Sequence, residues 1–284
     1  MSDVRKVGVV GAGQMGSGIA EVHAKSGLDV VITEVSQSAL DAGKARIEKS
    51  LQRAVKNGKL AADDADAALG RLRFTTDLAD LADRDLVIEA ILEQEQAKVD
   101  VFGQLDKIVS RDDAIFASNT SSIPIVKIGM ATQRPAQVVG IHFFNPVPVL
   151  PLVELVPSLL TSDETARRAE EHAAALGKTV IRAQDRAGFI VNSLLVPYLL
   201  SAIRMVESGF ATAEDIDRGM ELGTAHPMGP LRLSDLIGLD TVKAIADSMY
   251  DEFKEPLYAA PPLLLRMVDA GLLGKKSGRG FYSY

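Results

Sequence analysis

The sequence predicts an α/β N-terminal part, residues 1–184, followed by an all-helical C-terminal part, residues 185–284. Three observations predict it. Short apolar runs alternate with stretches of helical spacing from Val4 to Ile181. The first run is followed at once by the glycine pattern Gly11-Ala12-Gly13-Gln14-Met15-Gly16. From Phe189 onward the text is helical, after a change of composition at Gln184-Asp185-Arg186-Ala187-Gly188. With 284 residues the chain is long enough for two hydrophobic cores.

Val4 to Val10 is nearly continuous in apolar residues, as a buried parallel strand requires. Helical spacing then runs through Ile19, Ala20, His23 and Ala24 to a stop at Gly27. Between them the full G-x-G-x-x-G has a separate use for each glycine. The first makes a tight turn, the second lets backbone approach a pyrophosphate, and the third allows close packing of helix on strand. The helix N-terminus, at Gln14 and Met15, faces the phosphates. Placed between strand and helix, the motif predicts a Rossmann-like dinucleotide-binding domain.

The next strand, Leu28 to Thr33, ends in Glu34, 18 positions past Gly16. An acid there bonds a ribose 2′-hydroxyl and repels a 2′-phosphate, and Val35-Ser36-Gln37 supplies no arginine to hold one. This points to NAD. Ser38 to Gly70 reads as two helices broken near Asn57-Gly58, with Ser50, Arg53, Lys56 and Lys59 along it. Those groups suit a phosphorylated ligand, and solvated helix faces explain them equally well. Leu72–Thr75 and Asp85–Glu89 are strands, a helix carries Gln96 to Ile108, and Ala114–Ser118 is a further strand. Asn119-Thr120-Ser121-Ser122 follows it, a polar cluster where α/β folds place ligand contacts. A turn that caps the helix near Pro124 uses similar residues.

Ile141 to Val156 reads IHFFNPVPVLPLVELV. An apolar run brings in His142, a loop with Pro146, Pro148 and Pro151 follows, and Leu152 to Val156 carries a lone carboxylate, Glu154. The pattern is strand, stiff turn, strand. It sets His142 beside Glu154, and a carboxylate on one imidazole nitrogen frees the other as a general base. A capped histidine with a rim glutamate is the competing reading of those two residues alone. Ser162–Gly177 is an amphipathic helix and Thr179–Ile181 a last strand. Phe189 to Glu207 is a long apolar helix with Asn192 in its first turns and Pro197 inside it. Shorter helices follow, divided by Gly209, His226–Pro230 and Pro261-Pro262, and so apolar a helical region is expected to pack on a second copy of itself.

Composition excludes several classes. There are no cysteines, which removes disulfides, thiolate metal sites and a cysteine nucleophile, and suits a reducing cytoplasm. The net charge of −7 would repel nucleic acid. No apolar stretch approaches a membrane span, and the N-terminus has no signal-peptide layout. The remaining histidines, His23, His172 and His226, are scattered, so no metal site is expected.

Several stretches together resemble the L-3-hydroxyacyl-CoA dehydrogenase family, in its short monofunctional 3-hydroxybutyryl-CoA form. They are the glycine motif, Glu89-Ala90-Ile91 with Glu93, Ser118–Ser122, His142-Phe143-Phe144-Asn145-Pro146-Val147-Pro148 and Leu152-Val153-Glu154. Gly188-Phe189-Ile190-Val191-Asn192, Pro227–Pro230 and Gly280-Phe281-Tyr282 complete the set across nearly the whole chain. The resemblance implies that His142 is the catalytic base, that Glu154 orients it, and that Ser121 and Asn192 contact the substrate's 3-oxygen. It implies NAD contacts at Glu34, Glu93, Lys98, Ser121, Asn145 and Lys276, besides Gly11, Gly13, Gln14, Met15 and Gly16. Ser50 and Lys56, with Ser121, are implied to meet an acyl-CoA thioester, although the exact family position of that lysine reads Asn57 here. Ser193 stands where many relatives carry arginine. The implied activity is interconversion of (S)-3-hydroxyacyl-CoA and 3-oxoacyl-CoA by a cytoplasmic homodimer or higher oligomer. A β-hydroxyacid dehydrogenase acting on a free acid, and a non-catalytic NAD-binding relative, are the alternatives.

Overall fold

The structure is a computed structural model that describes residues 3–284. The chain divides into two compact units, Met1–Asp185 and Arg186–Tyr284. In the first, strands β1 (Lys6–Val10), β2 (Asp29–Thr33), β3 (Leu72–Thr75) and β4 (Leu86–Glu89) are followed by β5 (Ile115–Ser118), β6 (Val138–Phe143), β7 (Leu152–Pro157) and β8 (Thr179–Arg182). They form one sheet in the order β3-β2-β1-β4-β5-β6-β7-β8. The helices between them are α1 (Gln14–Lys25), α2 (Gln37–Lys56), α3 (Ala62–Gly70), α4 (Glu95–Ile108), α5 (Ile125–Gly129) and α6 (Asp163–Ala175).

Neighbours from β3 through β6 are parallel. Every residue of β4, β5 and β6 is buried, which is why these strands read as unbroken apolar runs. Strand order reverses at β1, with β2 on one side and β4 on the other, which opens a crevice at the carboxyl ends of the strands. Val9, Ile32, Ile88, Ala117 and Ile141 lie in the same core cluster as Ile19 of α1.

β7 breaks the pattern by pairing antiparallel with β6. Phe144 to Pro151 is too short for a helical crossover, so the chain must turn straight back. The turn contains a cis Asn145–Pro146 bond, and the Lys178 ammonium donates to the carbonyls of Val147 and Leu150 at 2.6 and 2.8 Å. α6 starts at Ser162, whose hydroxyl accepts from Thr165 N–H. β8 then runs parallel to β7.

The second unit holds α7 (Val191–Glu207), α8 (Ala213–Thr224), α9 (Pro230–Ile237), α10 (Leu239–Phe253) and α11 (Pro262–Asp269) around its own core, which includes Leu199, Ile203, Leu231, Val242 and Met249. α7 begins two residues later than its apolar spacing suggests, because Gly188 and Phe189 take positive φ values of 84° and 46°. Among the described residues no helix is long and apolar enough to cross a membrane.

Candidate active site

The site grows from the carboxyl ends of β1, β2, β4, β5 and β6. The turn after β1 is dictated by its glycines. Gly11 has φ +100°, and a Cβ there would sit 2.6 Å from Ala90 O. A Cβ on Gly16 would lie 1.9 Å from Gly11 O, so only glycine lets α1 start this close to the turn. Gly13 is different, since nothing lies within 4 Å of the place its Cβ would take. No side chain caps α1, whose first turn holds no acid, so its N–H groups are left to a ligand.

Glu34, just past β2, accepts from Ala12 N–H at 2.8 Å and from Val35 N–H at 3.0 Å. Arg46 of α2 reaches the other side of the same residue and donates to Ala12 O at 3.0 Å. α2 comes this close because position 43 is glycine: a Cβ there would meet the Ala12 Cβ at 2.4 Å. The open space over Gly13, the bare helix end and the carboxylate beside the turn fit a dinucleotide with a free ribose hydroxyl.

β6 and β7 place His142 and Glu154 directly opposite each other. Glu154 is fully buried, and His142 is 4% exposed. His142 Nδ1 lies 2.8 Å from Glu154 Oε2, and Nε2 lies 3.0 Å from Ser121 Oγ. A carboxylate only accepts, so Nδ1 carries the hydrogen and Nε2 presents its lone pair to the Ser121 hydroxyl. Phe144 packs edge-on against the imidazole at 4.6 Å. Asn119 Oδ1 accepts from Phe143 N–H at 2.9 Å, which ties the loop after β5 to the histidine strand.

That loop is held by Glu93. Its Oε1 accepts from Thr120 Oγ1 at 2.5 Å, Ser121 N at 2.8 Å and Ser122 N at 3.2 Å. Burial alone would raise the Glu93 carboxyl; the Lys98 charge and the Thr120 and Ser121 donors outweigh it and keep the group below its ordinary range. Lys98 is 1% exposed and lies between two carboxylates, Glu89 at 2.6 Å and Glu93 at 3.2 Å. Glu89 and Arg46 are the residues that sequence reasoning left without a role; Asn119, read only as part of a polar cluster, ties the loop to β6. An acid closing a wholly buried strand was the available signal for Glu89.

The other expected positions are more dispersed. Ser50 is half-buried and Lys56 exposed on α2, and Asn145 is exposed in the turn after β6. Asn192 is buried in the first turn of α7, and Lys276 donates to Asp240 at 2.7 Å, both within the helical unit.

The expectation of scattered histidines is corrected. His23 and His172 meet across α1 and α6 with 3.0 Å between their Nε2 atoms, stacked at 5.1 Å between centroids. His23 Nδ1 lies 2.7 Å from Ile19 O and must donate to it, so His23 Nε2 accepts from His172. Burial lowers His23 to about 4, against the Ile19 hydrogen bond, and burial with the neighbouring His23 charge lowers His172 to about 3. His226 faces Tyr198 at 3.2 Å. Among the described residues no cluster of His, Asp or Glu is placed to hold a metal ion.

A doubly wound sheet with this glycine turn and a buried histidine–glutamate pair at its strand ends has the build of an NAD-dependent dehydrogenase. Residues 6–186 match the NAD binding domain of 3-hydroxyacyl-CoA dehydrogenase, and residues 188–284 match that family's C-terminal domain. The chain belongs to the 3-hydroxyacyl-CoA dehydrogenase family, in its short 3-hydroxybutyryl-CoA dehydrogenase form. It is 63% identical over 286 residues to a 3-hydroxybutyryl-CoA dehydrogenase of Mycobacterium tuberculosis, covering 100% of both chains. It is similar to the crystal structure of M. tuberculosis FadB2, with TM-score 0.98, 63% identity and 99% of each chain covered. A crystal structure of (S)-3-hydroxybutyryl-CoA dehydrogenase from Ralstonia eutropha matches with TM-score 0.93 and 45% identity, again over 99% of each chain.

Proposed function

We propose that this chain interconverts (S)-3-hydroxybutyryl-CoA and acetoacetyl-CoA, and accepts related 3-hydroxyacyl-CoA thioesters. The observation that carries this reading is the His142 ring, locked by Glu154 at Nδ1 and presenting Nε2 beside Ser121. When bound, NAD would supply the acceptor for the hydride that leaves C3 of the substrate. His142 takes the 3-hydroxyl proton at Nε2, and the buried Glu154 carboxylate stabilises the imidazolium that results. Ser121 Oγ, within hydrogen-bond reach of the same nitrogen, orients the 3-oxygen toward the base. The part assigned to Asn192 on that oxygen rests on the family resemblance alone, as do those of Ser50 and Lys56 toward coenzyme A, and of Asn145 and Lys276 toward the cofactor. General-base catalysis of this kind contributes on the order of 10²–10⁴ in rate.

The chain's work in a reducing cytoplasm, as a homodimer or higher oligomer, is part of the same proposal. It is supported by the absence of cysteine and by exposed apolar side chains of the helical unit, Leu194, Phe210 and Leu222. Oxidation of NADH, followed optically with acetoacetyl-CoA, longer 3-oxoacyl-CoAs and free acetoacetate, tests the substrate class. Turnover of the thioesters and not of the free acid is expected; the reverse preference refutes the reading.

A further inference from the structure

Glu89 closes β4 and is fully buried. The reaction proposed above gives it no part, yet a carboxylate at this depth is costly unless it is paired and hydrogen-bonded. It is paired on every side. Oε1 receives the Lys98 ammonium at 2.6 Å and Ile91 N–H at 2.7 Å, and Oε2 receives the Ser118 hydroxyl at 2.6 Å. Ile91 follows β4 and Ser118 ends β5, so Glu89 joins the two strand ends that border the site.

The same ammonium leads outward. Lys98 lies 3.2 Å from Glu93 Oε2, and the second oxygen of Glu93 gathers the Thr120 hydroxyl and the N–H groups of Ser121 and Ser122. Ser121 then sets its hydroxyl 3.0 Å from His142 Nε2. A single line of hydrogen bonds and one ion pair, Lys98–Glu93, therefore runs Glu89, Lys98, Glu93, Ser121, His142, Glu154. Charge alternates over its first three members, Glu89, Lys98 and Glu93, and both Glu89 and Lys98 are removed from water. Loss of the Glu89 charge would leave the Lys98 ammonium with Glu93 as its remaining anionic partner among the described residues, and draw Glu93 off the turn it holds.

We propose that Glu89 is a positioning residue for Ser121: through Lys98 and Glu93 it fixes the Thr120–Ser122 turn, and so the line of the hydroxyl onto the base. This rests on the reading of His142 as the base. Glu89 touches neither the histidine nor the serine hydroxyl. Its effect is transmitted through hydrogen bonds that a displacement of about 1 Å would break, a misplacement that costs up to ~10²-fold in rate.

The test is a double-mutant cycle between Glu89→Gln and Ser121→Ala in the full chain, read as kcat and KM for reduction of acetoacetyl-CoA by NADH, with melting temperatures alongside. Glu89→Gln is expected to lower kcat roughly 10-fold, with KM for NADH changed far less. In the Ser121→Ala background the same change should cost almost nothing more, because the group it positions is gone. An equal fold loss in both backgrounds, no loss in the first, or a loss confined to KM for NADH overturns the proposal. If Glu89→Gln does not fold, Ser118→Ala removes a donor from the same carboxylate and carries the same cycle, with a smaller effect and the same required non-additivity. His142→Ala is measured first. Normal turnover there ends the base assignment and this proposal with it, whereas a dead His142→Ala with additive Glu89 and Ser121 effects ends only the positioning role.

Discussion

His142 and Glu154 occupy one rung of the β6–β7 ladder, with 2.8 Å between Nδ1 and Oε2. A register slip of one residue would turn Glu154 to the other face of the sheet, so the pairing of two strands and the tautomer of the imidazole are set together. If the carboxylate stabilises the imidazolium, Glu154→Gln should cut kcat by on the order of 10²-fold or more while the fold is kept. His142→Ala should lower kcat by about 10³-fold with NADH binding retained, since the glycine turn and Glu34 are untouched. The double variant should be little worse than His142→Ala. Parallel kcat and melting measurements check this; stability losses with normal turnover would make the pair structural only.

Glu34 bonds the Ala12 amide at 2.8 Å and puts a negative charge beside the glycine turn. NADH should therefore show a clearly higher kcat/KM than NADPH. Glu34→Ala should narrow that gap and raise KM for NADH by about 10-fold, the worth of one charge-assisted hydrogen bond. Steady-state kinetics with both cofactors decide it, and a wild-type preference for NADPH would contradict this use of Glu34.

The buried His23–His172 pair makes stability depend on pH. Both rings are neutral in the fold and shifted down, to about 4 and about 3, whereas an unfolded histidine titrates near 6.5. Between those values the unfolded chain holds more protons, so the stabilisation present above 6.5 is lost as pH falls toward 4. The slope is about 1.4 kcal/mol per pH unit for each histidine. Nearby Lys178 opposes the extra charge, while Glu21, its carboxyl raised by burial, titrates in the opposite sense. Denaturant melts from pH 7.5 to 4.5 should be markedly flatter for the double variant His23→Leu, His172→Leu. An unchanged slope would remove the pair from the pH response.

Leu194 is 74% exposed, Phe210 77% and Leu222 75% in the helical unit of the single chain. A surface of this kind is expected to be covered by a second copy. Light scattering at low micromolar concentration should give at least a dimer of the 30.3 kDa chain. A monomer alone would refute the assembly.

Much of the fold was legible because its strands are short apolar runs between turn residues, and the covered interior of the sheet leaves little room for polar positions in them. The β6–β7 reversal was readable from three prolines in a connection too short to cross over. The start of α7 was not, since helical spacing in the side chains does not register the positive φ of Gly188 and Phe189. Periodicity assigns a residue to a face, never to a particular neighbour. That is why Glu89 and Lys98, on a strand and the following helix, went unpaired, and why His23 and His172, 149 residues apart, read as isolated. Arg46 carried no signal at all, because its bond to Ala12 O depends on Gly43 bringing α2 against that residue.

The three motif glycines keep separate histories. Gly11 and Gly16 are demanded by the protein's own backbone, whereas the space over Gly13 is open. Random libraries at the three codons should divide accordingly. Selection for folded protein alone would return glycine at 11 and 16 and let 13 drift to alanine and beyond. Selection for turnover would bring glycine back at 13, because only an arriving pyrophosphate penalises a side chain there. Of the three, position 13 alone would then preserve in the sequence the shape of something that is not protein.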